Sequence, residues 1–271
     1  MRINTVLCII ALGSTTFFQS YQAQANGCSD LLMGINHISD KKSDPCFYLG
    51  GGVALSQNEY SKNAEAEIFP TLSLAWDLFY WDDTEIGVYF MGDSDKKSYW
   101  SLAALLQSSE RGYDPDDEDE DHLKGLPRAK SAFEGGIKFN AGNDWGGVQI
   151  KFAHDLEDTH EGYSIDINYV LPFMFGELSF TPVIGLTYYD KKNSNYYYGI
   201  TEEFATPSRP AYKLKETTNT YAGYTLLKPI NKDWAWFHAL TVTQVDDEIK
   251  DSPIVVSDNI SAAYGGIIFK F

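Results

Sequence analysis

Two histidines, His154 and His160, lie among acidic residues and form the cluster best suited to acid–base or metal chemistry. The acidic neighbours are Asp155, Glu157, Asp158 and Glu161. Imidazole and carboxylate groups together could activate water in a membrane hydrolase or bind a transition metal. No GxSxG, HExxH or other hydrolase motif surrounds any histidine of the chain. We therefore predict no catalytic residues, no metal ligands and no cofactor, and we interpret both histidines as solvated loop residues.

The longest charged run is acidic and occupies residues 114–121, directly before His122. Clustered carboxylates could bind Ca²⁺, which prefers oxygen ligands. The run lacks the glycine and the closing glutamate of an EF-hand loop, so that motif is excluded. We interpret the run as part of a solvated, mobile external loop, because like charges in sequence usually remain in water.

The start of the chain is typical of a secretory signal peptide cleaved near Ala25. It has a basic Arg2, an apolar run at residues 6–12 and the small-residue triplet Ala-Gln-Ala at 23–25. Only Cys28 and Cys46 would remain after cleavage, and in an oxidising periplasm they could form one structural disulfide. Lipidation of Cys28 and a two-cysteine metal site are alternatives with less support.

Composition excludes several classes of protein. Cleavage would leave 246 residues and move the formal net charge from −17 to about −18, because the removed segment has one basic and no acidic residue. Such an acidic chain does not suit nucleic acid as a partner. No remaining apolar run reaches the ~18 residues of a membrane helix. The aromatic fraction of 15% matches the aromatic girdles of a membrane β-barrel.

Short segments of alternating apolar and polar residues predict membrane-crossing β-strands. In the clearest, residues 178–188, large apolar side chains share one face. The other face carries Ser179, Thr181, Val183, Gly185 and Thr187. Small and polar residues of this kind suit a narrow lumen better than the outer surface of a soluble sandwich. At the carboxyl end, Ile267, Phe269 and Phe271 would face lipid on a final strand that closes against the first.

The predicted fold is all-β: a transmembrane antiparallel up-and-down β-barrel of about 12 strands, with 10 as the alternative. Short periplasmic turns and longer external loops would join the strands. Residues 1–25 would be the signal peptide, 26–45 an N-terminal periplasmic extension and 46–271 the barrel. The predicted strands are 47–56, 68–76, 78–82, 85–91, 98–107, 131–140, 145–154, 161–172, 177–189, 217–229, 234–246 and 259–271. The segment 78–91 could instead be one bent element, which would change the count.

Charged residues on neighbouring strands are candidates for the lumen. They are Glu134, Lys138, Lys151 and Asp166. These side chains could pair and block the barrel, or line a narrow polar path. Twelve strands leave little internal room, which favours a plugged interior.

Candidate contact residues lie in two external loops. Tyr196, Tyr197 and Tyr198 could form a contact surface, since tyrosine offers amphipathic area at low entropic cost. An aromatic belt at the outer membrane interface is an equal alternative for these three residues. Asp251 and Pro253 are the further candidate contacts.

The same loops carry a resemblance to a known family. Residues 195–203 (NYYYGITEE), followed by Pro-Ala-Tyr at 210–212, resemble the Y-Y-Y-G-[VI]…E…P-x-Y segment of the MltA-interacting protein / outer-membrane protein V (MipA/OmpV) family. Residues 248–255 (EIKDSPIV) match the [EV]-[VI]-K-D-S-P-[IL]-V block of that family. The segments 178–182 and 123–126 also fit. The resemblance covers essentially the whole mature chain and is strongest from about Ala132 onward.

This resemblance implies a non-enzymatic barrel in the outer membrane of a Gram-negative cell. Family members are described as scaffolds that link a lytic transglycosylase to a murein synthase, or as surface adhesins. Outer membrane lipid and periplasmic murein enzymes are therefore the expected partners, and nucleic acid is not. A surface adhesin and a narrow small-solute channel remain alternatives. The extension 26–45, with Cys28 and Cys46 at its ends, is outside the family pattern; it could be a partner-binding tail or a disordered spacer.

Overall fold

The computed structural model describes residues 45–94, 98–109, 111–116 and 121–271. Its strands are β1 (Cys46–Gln57), β2 (Glu65–Trp76), β3 (Phe79–Asp82), β4 (Glu85–Ser94), β5 (Ser98–Ser108), β6 (Phe133–Asn143), β7 (Gly146–Asp155), β8 (Tyr163–Val170), β9 (Phe173–Phe175), β10 (Leu178–Tyr189), β11 (Thr217–Pro229), β12 (Trp234–Gln244) and β13 (Asn259–Lys270). Two short helices, α1 (Lys191–Tyr198) and α2 (Asp247–Lys250), lie in loops. No helix in these ranges is long and apolar enough to cross a membrane. The signal peptide, most of the extension and Cys28 lie outside the described residues.

The strands form one closed antiparallel barrel. Each strand pairs with the next along the chain, except that β8 and β9 both pair with β10, and β13 returns to pair with β1. β8 and β9 keep a single register against β10 and are separated only at residues 171–172, where a proline cannot donate to the ladder. They form one wall strand, so the prediction of 12 strands is confirmed and the alternative of 10 is wrong. β3 and β4 are separate strands rather than one bent element.

Side chains alternate between the two faces of the wall as the sequence pattern predicts. On β10, Ser179 and Thr181 are buried inside, whereas Ile184 is 61% exposed on the outer face. At the seam, the backbone N–H of Phe271 donates to the carbonyl of Phe47 at 3.0 Å. The two phenylalanine rings lie 4.9 Å apart, so the last residue packs directly against the first strand.

Loop length and tryptophan positions orient the barrel. Five of the six tryptophans lie at the end with the short turns: Trp76, Trp100, Trp145, Trp234 and Trp236. Aromatic girdles mark membrane interfaces, and short turns face the periplasm in bacterial outer-membrane barrels. We assign this end as the periplasmic rim and the end with the long loops as the outer mouth.

The periplasmic half of the interior is filled by side chains. Its core contains the buried residues Tyr48, Tyr80, Tyr89, Phe237 and Tyr264. Phe69 packs edge-on against Phe237 and Tyr264, with ring centroids 6.3 and 5.7 Å apart. Rings of this size leave little open cross-section in a barrel of twelve strands.

The short strand β3 leaves a step in the barrel wall. It pairs with β2 only from Ser73 to Trp76. Above it, Asp83 covers the edge of β2, because its carboxylate accepts the N–H of Leu72 at 2.9 Å and its own N–H donates to the carbonyl of Leu72 at 2.9 Å. Pro70 follows along β2 and has no N–H to leave unpaired. The polar contacts of Asp83 and the proline therefore cover the exposed edge of β2, which protects this edge from pairing with another strand.

Candidate functional site

The outer mouth is covered by a folded structure that we call the outer cap, formed by the described parts of residues 58–64, 109–132, 190–216 and 245–258. It has a hydrophobic core separate from that of the lower barrel. The core residues are Tyr60, Leu123, Leu126, Ala129, Tyr197, Tyr198, Ile200, Leu214, Val245, Ile249 and Ile254, together with Ile260 at the start of β13. Four segments distant in sequence thus bury apolar surface against one another, which holds the loops together over the barrel.

Buried hydrogen bonds fix the segments of the outer cap relative to one another. The hydroxyl of Tyr198 donates to Glu59 at 2.6 Å, and the hydroxyl of Tyr60 donates to the carbonyl of Tyr197 at 2.9 Å. Ser252 donates to the carbonyl of Tyr198 at 2.7 Å. Burial, and secondarily the nearby Glu59, raise the pKa of Tyr198 well above its ordinary value, so its hydroxyl keeps the proton that it donates.

Arg111 lies between aromatic rings at the base of the outer cap. Its guanidinium carbon is 4.1 Å from the ring centre of Tyr189 and 4.3 Å from that of Tyr197. One of its terminal nitrogens donates to Asn193, in α1, at 2.9 Å. These contacts join the β5–β6 loop to β10 and to α1, so a single cation connects the barrel wall to the cap.

These positions bear on two predictions about the external loops. The loop between β5 and β6 folds against the outer cap on both sides of the acidic run, since Tyr113 and Ala129 pair as a bridge and Leu123 is 1% exposed. Asp116 and Asp121 are exposed, and the solvation of the acidic run as a whole stays a prediction. The acidic residues 117–120 lie outside the described residues. The two predictions for the tyrosines, a contact surface and an aromatic belt at the membrane interface, do not fit Tyr197 and Tyr198. These two side chains are 0% and 1% exposed, because they lie in the core of the outer cap.

The remaining loop candidates lie nearer the surface of the outer cap. Tyr196 is half-buried, and its hydroxyl accepts the N–H of Lys130 at 3.0 Å. Asp251 is exposed directly after α2, and Pro253 is half-buried. A contact role for Tyr196, Asp251 and Pro253 stays a prediction.

Below the cap lies a charged cluster that we call the interior polar network: Glu85, Gln107, Glu134, Lys138, Lys151 and His160. Glu85 binds Lys138 through one carboxylate oxygen and Lys151 through the other, the latter at 3.2 Å. Lys151 also donates to Gln107 at 2.8 Å, and Gln107 donates to Glu134 at 2.7 Å. The network therefore joins four neighbouring strands, β4 to β7, along one side of the barrel interior.

Glu85 is the network residue that the sequence prediction missed. Lys138 and Lys151 are directly opposed on β6 and β7, so two like charges face each other across neighbouring strands. Glu85 is 2% exposed and satisfies both ammonium groups, which removes their mutual repulsion. Ile86, Val88 and Phe90 occupy alternate positions of β4 and so share its lipid-facing side. The sequence pattern therefore indicates that Glu85 faces inward.

The prediction that His160 is a solvated loop residue is wrong. Its side chain is fully buried, and its Nε2 lies 3.3 Å from the carboxylate of Glu134. Asp155 holds the surrounding loop by accepting backbone N–H groups from Glu157, His160 and Glu161 at 2.9, 2.6 and 2.8 Å. His160 is thus a structural link between this loop and the interior polar network.

Asp166 is drawn into a different set of contacts, although it lies directly opposite Lys151. Its carboxylate accepts from Thr187 at 2.8 Å, from Tyr221 at 3.1 Å and from Asn168 at 3.1 Å. A row of amides continues through Gln149 to Asn140. The four predicted lumen residues therefore all lie on inward-facing positions, but the structure brings only three of them together in one network.

The charged side chains of this interior bind and neutralise one another. At least one charged or hydrogen-bonding partner contacts each ionisable side chain of the strands just described: Glu85, Glu134, Asp166, Lys138 and Lys151. The part of the chain that the structure describes contains no group of three or more His, Cys, Asp or Glu placed to hold a metal ion. The arrangement fits a closed, stabilised interior.

A capped twelve-strand barrel with tryptophans at the rim and apolar residues on its outer wall defines an outer-membrane β-barrel protein. The chain belongs to the MltA-interacting protein MipA family, whose model matches residues 49–271. This bears out the family resemblance of the loop motifs.

Several relatives are outer-membrane proteins. YiaT of Escherichia coli (strain K12) is 28% identical over 82% of this chain and 90% of its own length. Outer membrane protein Omp26La of Vibrio anguillarum is 29% identical over 66% of this chain and 68% of its own. The MltA-interacting protein of Escherichia coli (strain K12) is 24% identical over 88% of this chain and 93% of its own. The prediction of an outer-membrane location is confirmed.

Proposed function

We propose that this chain is a non-enzymatic scaffold that holds murein-remodelling enzymes at the periplasmic face of the outer membrane. The similarity to a protein named MltA-interacting protein, over nearly the whole chain, is the observation that carries the proposal. A lytic transglycosylase and a murein synthase are the partners that the family resemblance implies. Neither the family nor the relatives named above carry an enzymatic name.

The state of the barrel interior supports a scaffold over a channel. Aromatic side chains fill the periplasmic half, the interior polar network lines one side of the middle, and the outer cap covers the mouth. A solute would have to displace the packed aromatic side chains and the hydrophobic core of the outer cap to pass. We expect the purified protein to show no stable single-channel current in planar bilayers, and a steady conductance that changes on charge reversal at Lys151 would support the channel instead.

Site-specific photo-crosslinking in intact cells tests where partners bind. A crosslinking amino acid is placed at Glu177, which is exposed in a periplasmic turn, or at Glu203, which is exposed on the outer cap. The second pair of positions is Lys232 in a periplasmic turn and Lys215 in the cap. Each pair compares the same residue type on opposite faces of the membrane.

The scaffold proposal expects adducts with a murein enzyme from Glu177 and Lys232, and none from Glu203 or Lys215. Adducts confined to the cap positions would contradict it. They would favour the second candidate function, a surface adhesin, which draws support from the outer cap being a folded surface with its own core. Replacing the cap loops and measuring host-cell binding then separates adhesion from structural damage, provided that the barrel still migrates as a folded form.

A further inference from the structure

Cys46 is the first residue of β1, at the periplasmic rim, and its side chain faces the barrel interior. It is 1% exposed and lies opposite Ala75, which is equally buried near the end of β2. Cys46 is disulfide-bonded, and its partner lies outside the described residues. Because two bonded sulfur atoms lie only about 2 Å apart, the partner cysteine must also enter the periplasmic mouth of the barrel.

Cys28 is the partner that the processed chain offers. The sequence contains three cysteines, and Cys8 belongs to the predicted signal peptide, which would be removed. A bond between Cys28 and Cys46 closes a loop over residues 29–45 and holds both of its ends at one point of the rim. Formation of the bond transfers two protons and two electrons from the two thiols to the disulfide of a periplasmic oxidant.

The loop carries an apolar run between polar segments. Residues 39–45 (SDKKSDP) are polar or charged, apart from the final proline. Residues 31–38 (LLMGINHI) contain five large apolar side chains: Leu31, Leu32, Met33, Ile35 and Ile38. Apolar side chains are more stable when they are removed from water, so a loop held at an apolar opening should bury this run there.

The inner wall of the periplasmic mouth is apolar beside Cys46. Leu227, Ala235 and Ile268 lie within two residues of the periplasmic ends of β11, β12 and β13. Leu227 and Ile268 are each 3% exposed and belong to the same hydrophobic core as Cys46, and Ala235 packs against that core. An apolar segment that enters beside Cys46 therefore meets apolar side chains rather than the interior polar network.

We propose that residues 26–45 form an N-terminal plug, in which a disulfide between Cys28 and Cys46 holds the apolar run 31–38 in the periplasmic mouth. The plug lies below the aromatic side chains of the lower barrel, and its polar segment 39–45 returns along the rim to β1. The barrel is then covered at both ends, by the outer cap and by a segment of its own chain. This arrangement does not depend on the identity of any periplasmic partner.

Mass spectrometry of non-reduced peptides from the full processed chain tests the covalent attachment. The protein is denatured in an alkylating reagent, so that free thiols are blocked before they can exchange. We expect one pair of peptides joined through Cys28 and Cys46, which separates on reduction. Recovery of both cysteines in alkylated form would overturn the proposal.

Met33 reports whether the apolar run is buried. Met174, which is 42% exposed in β9 at the same rim, is the internal reference. In detergent, hydrogen peroxide should oxidise Met33 about fivefold or more slowly than Met174, because oxidation follows exposure. Equal rates in the disulfide-bonded protein would overturn the plug. In Cys28→Ser the two rates should become similar, and full protection of Met33 in this variant would show that the disulfide does not hold the run.

Leu32→Asn and Asp40→Asn form a matched pair, because they place the same amide inside and outside the apolar run. Oxidation of Met33 should become faster in the first variant and stay unchanged in the second. An unchanged rate in Leu32→Asn would argue against burial of the run. Neither substitution alters the barrel wall, and folding is checked by the gel mobility of unheated samples, in which a folded barrel migrates differently from a heated one.

Photo-crosslinking distinguishes the barrel mouth from other places in which the run could be protected. A crosslinking amino acid at Leu32 should form an adduct within the same molecule, with the periplasmic end of β11, β12 or β13. The same amino acid at Asp40 should form no such adduct. Adducts of position 32 with a second molecule or with detergent alone would overturn the placement of the run in the mouth.

Discussion

Tyr198 and Glu59 are joined by a hydrogen bond of 2.6 Å, although 139 positions separate them in the chain. Tyr198 ends α1, and Glu59 follows β1. Both are buried, with 1% and 6% of their surface exposed. The bond shows that the outer cap is stabilised by contacts between loops, so single side chains within it should control how readily the cap opens.

Removing the Tyr198 hydroxyl should loosen the outer cap. In Tyr198→Phe the ring remains, but the buried Glu59 loses its donor, which costs about 1–3 kcal/mol. We expect faster cleavage of the cap loops by protease in the detergent-purified protein, while the barrel stays folded. Tyr113→Phe is the matched control: within the described residues its hydroxyl makes no hydrogen bond, and its ring would still pack against Tyr60 at 4.9 Å. Equal cleavage of the two variants would contradict the prediction.

High pH should open the same structure. Burial raises the pKa of Tyr60, Tyr197 and Tyr198. The folded cap therefore keeps protons that an open cap loses above the ordinary tyrosine pKa of about 10, so its stability is complete below that pH and falls above it. Tyrosinate absorbance should show a late step that coincides with protease sensitivity. That step should shrink in Tyr198→Phe, and titration of every tyrosine in one step near pH 10 would argue against closed-cap burial.

Arg111 should contribute more to the stability of the outer cap than an exposed arginine does. Arg111→Met removes two ring contacts and the hydrogen bond to Asn193, for a loss of about 2 kcal/mol. Amide hydrogen exchange at residues 190–198, followed by mass spectrometry, should speed up accordingly. Among the described residues, Arg128→Met removes an exposed ion pair with Asp114 at 3.3 Å, and it should change exchange little. Similar exchange in both variants would show that the stacking of Arg111 contributes nothing measurable.

The wall of the barrel could be predicted from sequence because its signal is local. Alternation of Phe133, Ile137 and Phe139 with Glu134 and Lys138 already assigns a lipid face and an interior face to β6. Strand ends could be predicted only to within a few residues. The pattern predicts one strand over residues 161–172, for example, whereas the wall strand begins at Tyr163, is interrupted at residues 171–172 and continues to Phe175.

The outer cap could not be predicted, because its core joins four segments that show no shared period. Leu123, Leu214 and Ile249 have no common spacing, and each lies among polar residues that are typical of a solvated loop. The partners within the interior polar network were hidden for a related reason. Alternation gives the face of a strand but not which of several inward charges meet across the lumen, since that depends on the stagger of strands around the barrel.

Glu85 should be the most sensitive position of the interior polar network. Glu85→Gln leaves Lys138 and Lys151 opposed and uncompensated in a buried site, and breaking a buried pair in this way costs about 3–5 kcal/mol. We expect a lower urea midpoint for unfolding in detergent or lipid vesicles. Lys138→Met in the Glu85→Gln background should recover part of the loss, because one of the two unpaired charges is then gone.

The double variant decides between electrostatics and packing at Glu85. A packing defect alone would leave Glu85→Gln nearly neutral, since glutamine has almost the same volume, and would make Lys138→Met additive with it. Lys232→Met is the surface control, because its pair with Asp233 at 3.8 Å is formed by an 89% exposed lysine. Its unfolding midpoint should stay close to that of the unaltered protein.

The seam between the last and first strands should depend on the ring of Phe271. Phe271→Ala keeps the backbone hydrogen bond to Phe47 but removes ring contacts at 4.9 Å with Phe47 and at 4.7 Å with Phe269. Aromatic pairs contribute about 0.5–1.5 kcal/mol each, so urea unfolding should move by about 1–3 kcal/mol. Phe175→Ala removes an equally exposed rim phenylalanine, 63% against 66%, that has no ring partner among the described residues. Because the loss of lipid contact is similar in the two variants, only a larger effect in Phe271→Ala is consistent with stabilisation of the seam by these ring pairs.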